Sequence, residues 1–411
     1  MENAAHDGPF VIDPTGSDIH GEAARIRARG TATRVRLPGD VEAWGVNDLS
    51  LLRLLLTDPR VSKDPRQHWP AWINGEISPE WPLFAWMAVN NMLTAYGAEH
   101  RRLRRLISSA FTVRRTAALR PRIEKIVTEL LDGFEVLAPG PLDLREKYAY
   151  PLPIAVICEL FGIDDEAASD EMRHHVSVFF NTSAEPHEIA AAYPRMRELL
   201  AALIADKRKN PGDDLSSALI AARDDDSRLS EEELIGTLML FISAGHETTV
   251  NLLDNAIYNL LARPDQLALI RAGRAGWDDV IEETLRAESP IANLPLRFVV
   301  EDITLDDGVV LRSGDAILGC YAAAGRDPLV HGHDADRFDV TRANKEHIAF
   351  GYGVHHCLGA PLARLEASVA LPALFDRYPG LTLAAEPGDL QPLGSFISNG
   401  HRFLPARLAA E

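Results

Sequence analysis

Apolar residues recur at helical spacing along most of the chain. Between 97 and 118 they fall at 103, 106, 107, 110 and 111, a single stripe on a basic and polar surface, which predicts a helix. The same period predicts helices over 120–138, 150–161, 166–181 and 187–209, the last halted by Asn210-Pro211-Gly212. The longest helix starts at Ser230. Ser-Glu-Glu-Glu reads as a capping box, with Ser230 as N-cap and Glu233 reaching back to it. The pattern then runs to Arg263, just ahead of Pro264. About 30 residues at ~1.5 Å each make a rod of ~45 Å. Its first half, LIGTLMLFISAG, is apolar all round, so it is expected to cross the interior. Strand-like alternation is confined to 33–37, 41–46, 296–300, 303–311 and 316–319. With no β–α–β alternation a doubly wound sheet is excluded, and the fold class is mainly α with a small β part.

Composition adjusts this picture in three ways. The chain has 411 residues, which at ~150 per domain predicts two or three domains. Its 42 Lys+Arg against 60 Asp+Glu give a net charge of −18, which disfavours a nucleic-acid partner. Its three cysteines, at 158, 320 and 357, are too few and too scattered for a disulfide framework or a zinc ribbon, so reducing, cytoplasmic conditions are expected. A signal-peptide core and a run of ~18 apolar residues are both missing, so no membrane segment is expected. The short acidic run at 223–226 reads as a loop. Against this acidic background, Arg101, Arg102, Arg104, Arg105, Arg114, Arg115, Arg120, Arg122 and Lys125 crowd into one stretch. Such a run is a solvated helix face by default; otherwise it is an anion clamp and a landing surface for an acidic partner.

Four features could carry chemistry. In FGYGVHHCLGAPLAR, residues 350–364, glycines at 351, 353 and 359 surround Cys357, and a helical pattern follows. A cysteine at a helix N-terminus is favoured as a thiolate, whereas a lone cysteine is otherwise a buried packing residue. His355, His356 and Cys357 are adjacent and diverge, which discounts a shared zinc. Midway along the longest helix, Ala244-Gly245-His246-Glu247-Thr248-Thr249 places small residues, an acid and an alcohol in an apolar segment. That pair suits proton delivery to something bound alongside, or else Glu247 turns to solvent and the threonines pack. Glu283 and Arg286 stand at i, i+3 and can pair. His100 and Arg104 stand at i, i+4 on the basic helix.

Together these motifs are similar to those of the cytochrome P450 family. The haem-loop pattern F-x-x-G-x-x-x-C-x-G is met by Phe350, Gly353, Cys357 and Gly359, the A-G-x-E-T pattern by Ala244 to Thr248, and E-x-x-R by Glu283 and Arg286. Stretches such as PRQHWPAWINGEI and SNGHRFLPARL resemble an actinomycete subgroup that includes steroid and macrolactone hydroxylases. The resemblance implies one domain over 1–411 with a short flexible N-terminus, about 1–8, and haem b between the long central helix and the cysteine-loop helix. It implies Cys357 as axial ligand of the haem iron and His100, Arg104, Arg297 and His355 as partners of the propionates. Glu247 and Thr248 would relay protons in the distal groove, and Glu283, Arg286 and Arg337 would form a structural ion-pair group. Two family positions differ: Gly325 replaces an asparagine and Ala335 a proline.

The implied activity is insertion of one oxygen atom of O2 into a C–H bond of a bulky apolar molecule, steroid-like first and macrolactone or polyketide next. Electrons would come from NAD(P)H through ferredoxin reductase and a ferredoxin docked near residues 100–125, and the protein would work as a monomer. Met87, Phe179, Ala244, Leu294 and Phe396 are the expected pocket walls. The competing readings are a peroxide-dependent haem-thiolate enzyme and a non-catalytic haem or small-molecule binding protein.

Overall fold

A computed structural model describes residues 8–108, 113–134, 140–163, 165–222 and 229–408. The acidic run at 223–226 and most of the expected flexible N-terminus lie outside these residues, as do the side chains of Arg114 and Arg115. The molecule is built on helices, and the longest is the central one, Glu231–Ala262. Ser230 caps it as the sequence predicts. Its hydroxyl accepts from the Glu233 amide, and the Glu233 carboxylate accepts from the Ser230 amide. The boundaries at 151–161, 166–180 and 186–209 fall within a residue of those expected. The helix expected over 97–118 is described as two pieces, Gly97–Ser108 and Val113–Ala118.

The central helix is apolar nearly all round because two separate cores share it. Leu234, Leu238 and Ile242 of its first half pack with Phe161, Met196 and Leu200. Val250, Leu253 and Ile257 of its second half pack with Leu152, Ile281 and Leu371. The A-G-x-E-T segment falls at the junction between them. The cysteine-loop helix, Ala360–Arg377, packs on the second half, so the two helices that carry the family motifs are held against each other.

The β part is a six-stranded sheet with two small satellites. In the main sheet the order is β1 (Phe10–Val11), β2 (Ala32–Leu37), β3 (Val41–Val46), β9 (Ala316–Gly319), β6 (Leu294–Val299) and β4 (Val61–Ser62). β3 and β9 pair in parallel, with Trp44 opposite Ile317. β5 (Leu142–Asp143) joins β10 (Thr382–Leu383) and β11 (Pro405–Arg407) in a second sheet, while β7 (Ile303–Thr304) and β8 (Val310–Leu311) form a hairpin. The run expected as one strand over 303–311 is thus two short strands, broken where Gly308 adopts a φ of 85° in the turn. In β6 the register against β9 shifts between Leu294 and Arg297. These two residues are three apart and would point to opposite faces of a regular strand; the irregularity turns both toward one cavity.

Candidate active site

The cysteine loop is shaped by its glycines. Gly351 and Gly353 have φ of 71° and 69°, and a Cβ at Gly353 would lie 3.0 Å from the Leu56 carbonyl oxygen. Only glycine fits a left-handed backbone pressed that close to its neighbour. The loop closes with the Cys357 amide donating to the Phe350 carbonyl at 2.8 Å. Cys357 then sits just before the helix that starts at Ala360, with its side chain open to the cavity. Burial by the surrounding protein pushes its thiol up, while the amides of Gly359 and Ala360 and the charge of Arg104 pull it down. The other two cysteines carry no such geometry. Cys320 is buried with its thiol pushed up to about 12, and Cys158 lies 3.1 Å from the Ser169 hydroxyl.

Cations converge beside the cysteine. Arg104, Arg297 and His355 line the cavity, and the His100 ring lies 4.1 Å from the His355 ring. Lys63, fully buried, joins them by donating to the Pro295 carbonyl at 2.6 Å; nothing in its sequence context marked it. Burial and then each other's charges hold these groups down: His100 to about 4, His355 and Lys63 far below their ordinary values. None of the five forms an ion pair with a described residue, and His100 Nε2 is buried without a partner. Basic groups gathered without a carboxylate, and held down only by burial and by one another, regain their charge beside an anion and so make a site for a dianion. A cavity-facing thiol at a helix N-terminus and a nearby dianion cradle fit the two ends of a haem b, its iron and its propionates.

On the opposite wall Thr248 faces the cavity, its hydroxyl donating to the Ala244 carbonyl one turn earlier at 2.5 Å. Glu247 does not face it. Successive residues on a helix turn by ~100°, and this carboxylate points behind the helix, where Arg145 donates to it at 3.0 Å. It is 5% exposed, so the expected distal-groove pair is split: the alcohol is in the groove and the acid is clamped outside it. Sequence reasoning missed Arg145, although Glu247, Asn251 and Asp254 form a polar stripe at i, i+4 and i+7 that called for a buried partner. Glu366 was also missed. It lines the cavity with Oε2 unpartnered, and burial pushes its carboxyl up to about 8.

Glu283 and Arg286 are fully buried and doubly bonded, at 2.7 and 2.8 Å. Arg286 also donates to the carbonyls of Gly325, Ala335 and Arg337. Arg337 was expected as the third charge of this group, but its side chain is exposed and it supplies only its carbonyl. The second cation is Arg342, 3.5 Å from Glu283. The glycine at 325 also has a reason: a Cβ there would lie 2.0 Å from the Arg286 carbonyl oxygen.

The space between the cavity walls, open solvent at its mouth included, comes to about 1500 Å³. Ala244 and Leu294 line it as expected; Met87, Phe179 and Phe396 do not, being packed in the core at 1%, 8% and 0% exposure. Trp86 and Phe180 stand in place of the first two, one position along each helix and so on its other side. Their rings meet edge to face at 5.1 Å, and Phe161 and Phe241 add a second aromatic pair.

A family model described as Cytochrome P450 matches residues 176–272 and 277–388. A 2-hydroxy-5-methyl-1-naphthoate 7-hydroxylase from Streptomyces carzinostaticus is 45% identical over 97% of this chain and 97% of its own. Among solved structures, CYP154A1 from Streptomyces coelicolor A3(2) superposes with a TM-score of 0.92 at 54% identity, covering 97% of this chain and 100% of that one. The testerone-bound CYP154C4 from Streptomyces sp. ATCC 11861 gives 0.94 at 41% identity, covering 98% and 99%.

Proposed function

The chain belongs to the cytochrome P450 family, is a haem-dependent monooxygenase, and from that premise we propose that it hydroxylates a bulky, largely apolar ring compound, a steroid-like molecule before a macrolactone or other polyketide. The observation that carries the substrate reading is the aromatic wall of Trp86, Phe161, Phe180 and Phe241. Flat rings stack on such walls, and the cavity's charged groups are gathered at the propionate end. One similar protein is named as hydroxylating a ring compound, a naphthoate, and another, CYP154C4, is solved bound to testerone.

Haem b supplies the oxygen activation when bound: a C–H of the substrate becomes C–OH, and the other atom of O2 leaves as water with two electrons and two protons. The chain's part is binding, orientation and proton supply. Cys357 would ligate the iron, while His100, Arg104, Arg297, His355 and Lys63 would seat the propionates through charge-assisted hydrogen bonds. Thr248, which faces the cavity, would hand a proton into it, with Glu247 as its partner in the relay. Electrons would come from NAD(P)H through ferredoxin reductase and a ferredoxin that meets the outward arginines of the basic helix. No described helix is long and apolar enough to cross a membrane. We take the whole chain to be one domain, working as a cytoplasmic monomer.

The test is a reduced, CO-bound absorption spectrum of the wild type and Cys357→Ser, followed by spin-state titration with steroid and macrolactone panels. The wild type is expected to give the red-shifted thiolate band and the variant to lose it. A steroid shift without a macrolactone shift supports the substrate reading. Product formation from NAD(P)H with surrogate redox proteins excludes the non-catalytic reading, and a peroxide-driven rate equal to the electron-driven one would favour the peroxide-using alternative.

A further inference from the structure

Behind the central helix lies a charged cluster that the cavity chemistry does not account for. Arg145 follows β5 at the start of an irregular helical turn and is 6% exposed. One of its Nη atoms donates to Glu247 at 3.0 Å and the other to Asn251 Oδ1 at 2.9 Å, and the latter lies 3.7 Å from Asp254 Oδ2. Asp254 is fully buried. A single oxygen of it, Oδ2, accepts both the His401 amide at 2.8 Å and the His401 ring at 2.9 Å, while Oδ1 has no partner. Gly400 presses the C-terminal loop onto the same spot: a Cβ there would meet Asn251 Oδ1 at 2.8 Å and Asp254 Oδ2 at 3.1 Å. The result is a row, Glu247, Arg145, Asp254, His401, with His401 the outermost member at 15% side-chain exposure.

We propose that His401 is a positioning residue for Glu247: through Asp254 it sets how firmly Arg145 holds that carboxylate away from the cavity. With His401 protonated the row holds two positive and two negative charges in alternation. Asp254 is then satisfied from the histidine side, and Arg145 is committed to Glu247. When His401 loses its proton, Asp254 is left buried with Arg145 as its nearest cation. Arg145 is drawn toward it, and the hold on Glu247 loosens. The carboxylate is then free to turn toward Thr248, which faces the cavity from the adjacent position on the helix.

The surroundings favour this arrangement. His401 is raised above its ordinary value: burial lowers it, but Asp254 and the carboxylate of Glu288 together outweigh that, with Arg145 opposing. Glu288 is itself tied to His20, Arg326 and Asn399, and although burial raises its carboxyl, Arg326 and His20 prevail and keep it ionised beside His401. Tyr258, from the same helix as Asp254, packs against His401 with ring centroids 4.3 Å apart and planes tilted by 50°. On the Glu247 side the facing groups are Tyr150, with Arg173 beyond it, and His246, which donates to or accepts from no charged group and is held down to about 4 by burial. Tyr150 is held neutral by burial, pushed up to about 12. Within the row itself, His401 is the one member whose ordinary titration lies near neutral pH.

The functional half of this proposal rests on the monooxygenase reading; the coupling itself does not, and it can be measured without a substrate. Coupling between two sites is reciprocal, so removing the charge of Glu247 must change the titration of His401. The experiment is an NMR titration of His401 in the diamagnetic CO-bound ferrous holoprotein. Glu247→Gln frees Arg145 for Asp254 and is expected to lower the His401 midpoint by about 0.5 or more. Arg145→Gln is expected to raise it. In the Arg145→Gln background, Glu247→Gln is expected to move it by less than about 0.1, since the connecting cation is gone. If Glu247→Gln does not fold, Asp254→Asn replaces it and is expected to drop the His401 midpoint to or below that of a free histidine. In turnover with surrogate redox proteins, product per NAD(P)H is expected to rise as pH passes the His401 midpoint. His401→Gln should hold the high-pH value throughout, with peroxide-driven turnover showing neither effect. A His401 midpoint indifferent to Glu247, or the same shift with and without Arg145, would overturn the proposal.

Discussion

Arg337 and Arg342 separate what a motif names from what a contact does. Both lie near the buried Glu283–Arg286 pair, but the side chain of Arg337 is exposed and only its carbonyl meets Arg286. Arg342 faces Glu283 and donates to Asp334 and to the carbonyls of His331 and Asp334. Arg337→Ala is therefore expected to change stability by less than about 0.5 kcal/mol, and Arg342→Ala to destabilise by about 2 kcal/mol, in chemical denaturation of the haem-loaded protein. Glu283→Gln should be worse than either, at about 3–5 kcal/mol, because it strands a fully buried guanidinium. The sequence showed that an i, i+3 pair could form. It could not show that the pair is dry, because burial is decided by segments some 40–50 residues further along the chain. The same limit applies to Met87 and Phe179. The aromatic-rich stretches were visible, but which of two adjacent residues faces the cavity depends on the rotation of the helices Phe84–Ala88 and Glu166–Phe180, and composition does not report that.

At the scale of elements, the cysteine-loop helix is pinned to the helix Trp277–Ala287 by one carboxylate. Glu282 accepts from Arg364 at 2.6 and 3.0 Å and meets the His347 ring at 3.0 Å, just ahead of the loop. Burial alone would raise its carboxyl, but His347 and Arg364 prevail and bring it down to about 2 from an ordinary 4.5. A carboxyl depressed in the fold stabilises it fully above its unfolded value and loses that contribution as pH falls through the folded one. The tie is therefore expected to weaken between pH 4.5 and 2. In acid titration of the CO-bound spectrum, Glu282→Gln should lose the thiolate band at a higher pH than the wild type; coincident loss would show that the tie does not hold the loop. The element boundaries themselves were legible from sequence wherever a local device sets them. Ser230 and Glu233 start the central helix and Asn210 ends the helix Pro186–Lys209, because caps and breakers act within a turn. The shifted register in β6 was not legible, since it is set by pairing with β9.

For the whole molecule, the net charge of −18 conceals how the basic stretch is used. Arg102 pairs with Glu99 and Glu233, Arg120 with Glu124, Arg122 with Glu159 and Lys125 with Glu129. Arg104 turns inward to the cavity. Arg101 and Arg105 stay exposed, one turn apart, with no ion pair to a described residue. Among the described residues of the stretch, an acidic electron donor docking there would feel chiefly these two. Arg101→Glu with Arg105→Glu is expected to slow ferredoxin-driven reduction at least about tenfold at low salt, with the gap narrowing as ionic strength rises. Peroxide-driven turnover should be unaffected; an equal loss in both would point to damage at the haem site instead. By itself the sequence determined the fold class, the family and the cysteine that marks the haem loop, because helical period, caps and a glycine-framed cysteine are local patterns. Tertiary structure alone decided that Glu247 lies behind its helix, that Lys63 joins the basic cluster beside Cys357, and that Trp86 and Phe180 rather than their neighbours form the wall. Each of those depends on how one element is rotated against another, and that rotation is fixed by packing between residues far apart in the chain.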